Sequence, residues 1–185
     1  MLIIYIHGFG SSGFGAKAKL FRNYFQSTQH KFIAPSLSYI PSLALKTLEE
    51  IINTSTEEIL LIGSSLGGFY SIYLAEQYHL KAVLINPSVR PYETLSKVIG
   101  MQKNYYDGSL YEWCLEHIDE LRKFEKNEIS PDLYMLLLQT GDETLDYTQA
   151  QKKFFDAKLF VEEGGTHSFE GVERYFEKIN SFFTS

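Results

Sequence analysis

Cysteine is almost missing from this chain: among 185 residues only Cys114 occurs. That excludes an intramolecular disulfide and any cysteine-rich zinc cluster. Long apolar runs are missing too. The longest are bounded by Gly, Pro or Asn well short of the roughly 18 residues that span a bilayer, so membrane insertion is not expected. Basic charge is scarce, with 17 Lys+Arg against 23 Asp+Glu and a net charge of −6. Proteins that grip phosphate backbones carry a basic excess, so nucleic acid is not an expected partner. No basic stretch or cleavage site surrounds the opening Leu2-Ile3-Ile4-Tyr5-Ile6, and a cytoplasmic location is expected. The sequence holds no H-E-x-x-H, no Cys/His cluster and no acidic metal box, so neither metal nor organic cofactor is expected. Repeats, low-complexity tracts and linkers are lacking as well, which predicts one domain over residues 1–185. What is present is 44% apolar residues, enough for a sizeable core.

Short apolar runs recur at Leu2–Ile6, Phe32–Ala34, Ile59–Ile62, Ala82–Ile85, Leu133–Leu138 and Lys158–Val161, and read as buried strands. Between them lie residues at helical spacing: Ala18, Phe21, Tyr24 and Phe25, then Leu45, Leu48, Ile51 and Ile52, then Ile72, Leu74 and Ala75. Phe169, Val172, Phe176, Ile179 and Phe183 predict a closing helix. Strands alternating with helices imply right-handed crossovers and an α/β fold, a mostly parallel sheet of about six strands with helices on both faces. The stretch 87–131 is too long for a plain crossover and is expected to form a small helical cap. There Ser109-Leu110-Tyr111-Glu112 reads as a capping box behind the Asp107-Gly108 turn, with Leu110, Trp113, Cys114, Ile118 and Leu121 on one helix face. His30, His79 and His117 lie on or beside the predicted helices and are expected at the solvated surface.

The sharpest motif is Gly63-Ser64-Ser65-Leu66-Gly67, a G-x-S-x-G at a strand-to-helix junction. A serine on so tight a turn presents its hydroxyl above the sheet, and a Cβ at Gly63 or Gly67 would strike neighbouring backbone. Gly63 and Gly68 have P-loop spacing, but Phe69-Tyr70 stand where Lys and Ser/Thr are needed. Gly8-Phe9-Gly10-Ser11-Ser12-Gly13 spells a dinucleotide fingerprint, yet the first acidic residue of the chain is Glu49 and the second strand runs into Ala34-Pro35-Ser36, so the ribose carboxylate is missing.

With Ser65 as a nucleophile the same first turn gains another use, because a tetrahedral intermediate needs two preorganised N–H donors. Leu66 is one expected donor; Phe9, or Gly10 in its place, is the other. His7 is expected to shape that turn through backbone hydrogen bonds. Serine needs a base, and His167 lies between the last strand and the last helix, where catalysis gathers in open α/β sheets. The base needs an acid to fix its tautomer. Asp142 comes first past the strand Leu133–Leu138, whereas Asp146 reads as the N-cap of the next helix.

These stations resemble the α/β-hydrolase family over nearly the whole chain. The sequence is most similar to the small bacterial YqiA-type esterases in His7-Gly8-Phe9-Gly10-Ser11-Ser12, in Gly63-Ser64-Ser65-Leu66-Gly67-Gly68-Phe69-Tyr70, in Leu137-Leu138-Gln139-Thr140-Gly141-Asp142-Glu143 and in Gly164-Gly165-Thr166-His167-Ser168-Phe169. The resemblance implies esterase action on acyl esters or acyl-CoA thioesters, a Ser65, Asp142, His167 triad and a sheet reduced relative to larger members.

The residues alone imply acyl transfer from a small-molecule ester or thioester to water, with no specified substrate and no readable oligomeric state. Tyr92, Tyr105, Tyr106 and Trp113 of the cap are candidate acyl-pocket residues, the alternative being that they fill the packing between cap and core. Residues 1–48 hold five Lys/Arg and no acidic residue. That basic stretch either attracts an anionic leaving group or is a solvated helix face with Lys17, Lys19 and Arg22 on it. Two other functions fit the same fold: acyl transfer to an alcohol or carbon–carbon cleavage with the same triad, and a non-catalytic binding protein using the cap as its partner surface.

Overall fold

The computed structural model describes residues 1–184. From the N-terminus β1 (Leu2–Ile6), α1 (Ala16–Phe25), β2 (Lys31–Ile33), α2 (Pro41–Thr54), β3 (Ile59–Ser64), α3 (Leu66–Tyr78) and β4 (Ala82–Ile85) alternate. There follow α4 (Pro91–Leu95), β5 (Gly100–Lys103), β6 (Leu110–Trp113) and α5 (Leu115–Lys123). Alternation then resumes with β7 (Tyr134–Gln139), α6 (Tyr147–Lys153), β8 (Lys158–Glu162) and α7 (Phe176–Thr184).

Six strands form one sheet in the order β2-β1-β3-β4-β7-β8, with every neighbouring pair parallel. Parallel strands need crossovers, and the crossovers cover both faces, which is why these strands are short apolar runs rather than alternating ones. Each face packs its own layer. Ile4, Ile6, Leu61 and Leu84 meet α2, α3 and α5 through Leu45, Leu48, Phe69, Leu74 and Leu121. Ile3, Tyr5, Ile62 and Val83 meet α1 and α7 through Phe21, Phe25, Ile179 and Phe183.

The sheet order also positions the site. From β1 the chain passes to β2 on one side and then returns to β3 on the other, so the order reverses between β1 and β3. Such switch points open a crevice at the strands' C-terminal ends. Ile6 pairs with Gly63, which brings the turn after β1 beside the turn after β3.

Three expectations change. No helix starts behind Ser109: Leu110–Trp113 is a strand that pairs antiparallel with Gly100–Lys103. Its burial alternates, Leu110 and Glu112 exposed and Tyr111 and Trp113 buried, so the period is two rather than 3.6. The helix begins one step later at Leu115, with Cys114 and His117 closing the capping box. At the C-terminus Phe169 takes φ 59°, and a 3₁₀ turn at Val172–Tyr175 precedes α7, so the closing helix is shorter than its apolar spacing suggests. His30 and His117 are buried rather than solvated, His30 against Asn180 (3.1 Å) and Phe25, His117 between Trp113 and Tyr39. His79 remains exposed, in the left-handed conformation that ends α3.

Candidate active site

The turn after β3 is built by exclusion. An added Cβ at Gly67 would lie 2.0 Å from the Ile6 carbonyl oxygen, and one at Gly63 would lie 2.4 Å from that of Gly67. With both approaches closed to side chains, helix α3 starts immediately after the strand. Ser65 between them takes φ 55°, ψ −121°, a conformation L-residues rarely adopt. The surroundings hold it there: the Ser65 N–H donates to the Ile85 carbonyl at 3.2 Å, and the Ser65 carbonyl accepts from Gly68 (2.9 Å) and Ser88 (3.0 Å).

Above it the chain's other expected residues converge. His167 Nε2 lies 3.0 Å from Ser65 Oγ, and His167 Nδ1 lies 2.8 Å from Asp142 Oδ2. The Asp142 side chain is only 2% exposed. Its Oδ1 accepts from the Thr144 and Leu145 N–H groups at 2.9 and 2.8 Å. Burial pushes the Asp142 carboxyl up, but the hydrogen bonds from His167, Leu145 and Thr144 outweigh it and hold the group below its ordinary range. An ionised Asp142 fixes His167 with its proton on Nδ1 and leaves Nε2 free to accept from serine. Asp146 instead caps α6, accepting from Thr148 at 3.0 Å.

The turn after β1 lies alongside. A Cβ on Gly8 would lie 3.1 Å from that of Ser65, so a larger residue there would have to push Ser65 aside by a few tenths of an ångström. The Leu37 N–H donates to His7 Nε2 at 3.0 Å while Nδ1 faces the Gly8 carbonyl at 2.9 Å, so His7 bridges two loops as a neutral ring; burial lowers its pKa. Among the described residues the N–H groups of Phe9, Gly10 and Leu66 have no acceptor.

Two cavities meet at Ser65 and His167. One, of about 490 Å³, is lined by Phe9, Leu66, Pro91, Leu95, Val98 and Leu145. The other, of about 500 Å³, opens toward α1 and is lined by Tyr5, Lys17, Ser168 and Glu173. Tyr105, 82% exposed at the tip of the β5–β6 hairpin, borders both. The remaining cap aromatics do not. Trp113 is 0% exposed and packs edge-on beneath Phe9, Tyr92 is buried with its hydroxyl on Glu125, and Tyr106 stacks on Phe14. Of the candidate pocket residues only Tyr105 has the placement expected of it; Tyr92 and Trp113 serve the packing, because their ring faces are consumed by the core.

Two polar residues went unread in the sequence. Asn86, at φ 39° just past β4, donates through Nδ2 to the carbonyls of Thr166 (2.9 Å) and His167 (3.2 Å) and accepts from the Gln139 N–H at 2.9 Å. Gln139 Oε1 accepts from Thr166 and Glu170, and its Nε2 donates to Glu162 and the Glu170 carbonyl. Glu143 accepts from the His167 N–H at 2.9 Å. The histidine loop is therefore tied to the ends of β4 and β7. The one available signal was a polar residue closing each otherwise apolar strand.

The chain is similar over its full length to known proteins. The UPF0227 protein YcfP of Salmonella typhimurium is 26% identical over 190 residues, 99% of each chain, and the UPF0227 protein of Citrobacter koseri is 26% identical over 188 residues. Among solved structures, mouse alpha/beta hydrolase domain-containing protein 10 matches with a TM-score of 0.73 at 20% identity, over 97% of this chain and 87% of that one. Est1E of Butyrivibrio proteoclasticus with ferulic acid bound matches at 0.74 and 14% identity, over 99% and 88%. The Paleococcus ferrophilus monoacylglycerol lipase matches at 0.69 and 17%, over 99% and 94%. The fold is that of the α/β hydrolases, and its neighbours include a monoacylglycerol lipase. The profile of UPF0227, described as an uncharacterised protein family, matches residues 2–184, and the chain belongs to that family.

Proposed function

We propose that this protein is a serine hydrolase that cleaves carboxylic esters or acyl thioesters through an acyl-Ser65 intermediate. The observation that carries this reading is the unbroken line of contacts from Ser65 Oγ to His167 Nε2 (3.0 Å) and from His167 Nδ1 to Asp142 (2.8 Å). A serine at its ordinary pKa is a poor nucleophile; a base in hydrogen-bond contact removes its proton as the bond to the acyl carbon forms.

In the first half-reaction Oγ attacks the acyl carbonyl carbon and His167 Nε2 takes the hydroxyl proton. Asp142 stabilises the imidazolium without becoming protonated. The oxyanion is held by the N–H groups of Leu66 and Phe9, both without protein acceptors. His167 then gives its proton to the departing alkoxide or thiolate, the acyl–oxygen or acyl–sulfur bond breaks, and the acyl group stays on Ser65. In the second half-reaction His167 takes a proton from water as the water oxygen attacks the acyl carbon, the acyl–Oγ bond breaks, and His167 returns the proton to Ser65 Oγ as the carboxylic acid departs. The acyl chain occupies the cavity of Pro91, Leu95, Val98 and Leu145. The lone Cys114 fits a reducing, cytoplasmic setting.

The test is incubation with a fluorophosphonate, read by intact mass and peptide mapping. One adduct on Ser65 is expected, absent from Ser65→Ala and His167→Ala variants whose circular dichroism is unchanged. A folded wild type that takes no adduct overturns the reading.

A further inference from the structure

Lys17 stands out among the charged side chains because the triad does not use it and yet it lines a cavity shared with Ser65 and His167. It is not on the solvated face of α1. Its Nζ donates to Ser64 Oγ at 2.7 Å, one residue before the nucleophile. Among the described residues no carboxylate lies within ion-pair distance of it. Asp142 attracts it from further off, but both Asp142 oxygens are already taken by His167, Thr144 and Leu145. An ammonium has three donors, and Ser64 accounts for one.

A cation withdrawn from water without a counter-ion is costly, and burial pushes the Lys17 pKa down to about 8, offset in part by the charge of Asp142. An anion entering the cavity would offset more of that cost. The cavity sets its charge: Glu173 also lines it, so a single negative charge is accommodated better than two. The apolar cavity on the other side of Ser65 suits a hydrocarbon acyl chain, which leaves this one for the group that departs.

We propose that the Lys17 cavity receives the leaving group of the substrate and that this leaving group carries a carboxylate. The assignment rests on the acyl-Ser65 reading. The protein would then act on esters or thioesters of hydroxy or mercapto acids, with Lys17 holding the acid while the bond at Ser65 is cut.

The test compares two esters that share an acyl chain, para-(butanoyloxy)benzoate and its neutral methyl ester. For the wild type, kcat/KM is expected to favour the carboxylate by about tenfold, the effect of one charge-assisted hydrogen bond. Lys17→Met is expected to bring the ratio close to one. Lys17→Gln, which keeps an N–H donor for Ser64, does the same and guards against a folding defect. A ratio unchanged in both variants, or a wild type that favours the neutral ester, overturns the proposal and leaves the hydrolase standing. Hydrolysis of neither ester by a protein whose Ser65 still takes the fluorophosphonate also overturns the proposal alone. No adduct on Ser65 overturns the reading beneath it.

Discussion

At Gly67 an added methyl would sit 2.0 Å from a backbone oxygen of β1, whereas at Gly100, where the β5–β6 hairpin begins, it would meet no atom within 4 Å. The elbow, through Ser65, and the hairpin, through Tyr105, border the same cavities and are held in opposite ways. The elbow is enclosed by β1, β4 and α3, and even the strained φ of Ser65 is over-determined by three backbone hydrogen bonds. The hairpin is a two-stranded ribbon with Met101, Tyr105 and Leu110 in the open. Two strands alone are marginal in water. Catalytic geometry tolerates errors of only about half an ångström, which a packed scaffold can guarantee. Recognition of a substrate tolerates more, and in the proposed reaction part of it would fall to the looser piece.

The hardest way to test that contrast is to put a methyl group at the elbow. Gly67→Ala forces β1 and α3 apart and is expected to cost about 3 kcal/mol of stability, at the upper end for an overpacked core. Chemical denaturation would show it as a lower midpoint with an unchanged slope, and Ser65 labelling would fall with it. A variant of wild-type stability would mean that the elbow has room to give.

A milder break lies one layer out, at Asn86. Replacing it with alanine removes both donors that hold the His167 loop and strands the Gln139 N–H, a loss of about 2 kcal/mol in stability. As a positioning residue it should lower kcat about tenfold to a hundredfold while KM stays put, because the substrate does not touch it. Asn86→Asp keeps the acceptor for Gln139 but not the donors. Buried and facing the Thr166 and His167 carbonyls with an oxygen, it should recover neither the stability nor the kcat; recovery of both would reduce Asn86 to a packing role.

How far the sequence spoke for each region follows the same division. The strands were legible because a two-sided parallel sheet demands short apolar runs, and the elbow because only glycine fits where Gly63 and Gly67 sit. Position just past a strand end then singled out His167 and Asp142 as candidates. The hairpin was misread because Ser109-Leu110-Tyr111-Glu112 satisfies a capping box while the overlapping Leu110–Trp113 satisfies an alternating strand, and only its pairing with Gly100–Lys103 decides between them. Asn86 and Gln139 were silent because one polar residue at a strand end carries no period. Lys17 was left between attracting an anion and lying on a solvated face because helical spacing along α1 does not reveal that the residue reaches back to Ser64.

The gentlest test is at the hairpin tip. Tyr105 borders both cavities with its ring, while its backbone N–H donates to the Gly10 carbonyl at 2.7 Å. Tyr105→Ala removes the ring and leaves that backbone bond in place. Stability should change by no more than about 0.5 kcal/mol, as for an ordinary surface position. In the proposed reaction the ring would stand where acyl chain and leaving group part, so its loss should raise KM about threefold with kcat nearly intact, the pattern of binding lost equally from ground and transition states. Thermal melting and steady-state kinetics on the same preparation separate the two effects. A drop of more than about 1 kcal/mol would make the hairpin tip, and not only Tyr111 and Trp113 of β6, part of the packing, whereas an unchanged KM would take Tyr105 out of recognition and leave the cavity walls to do that work.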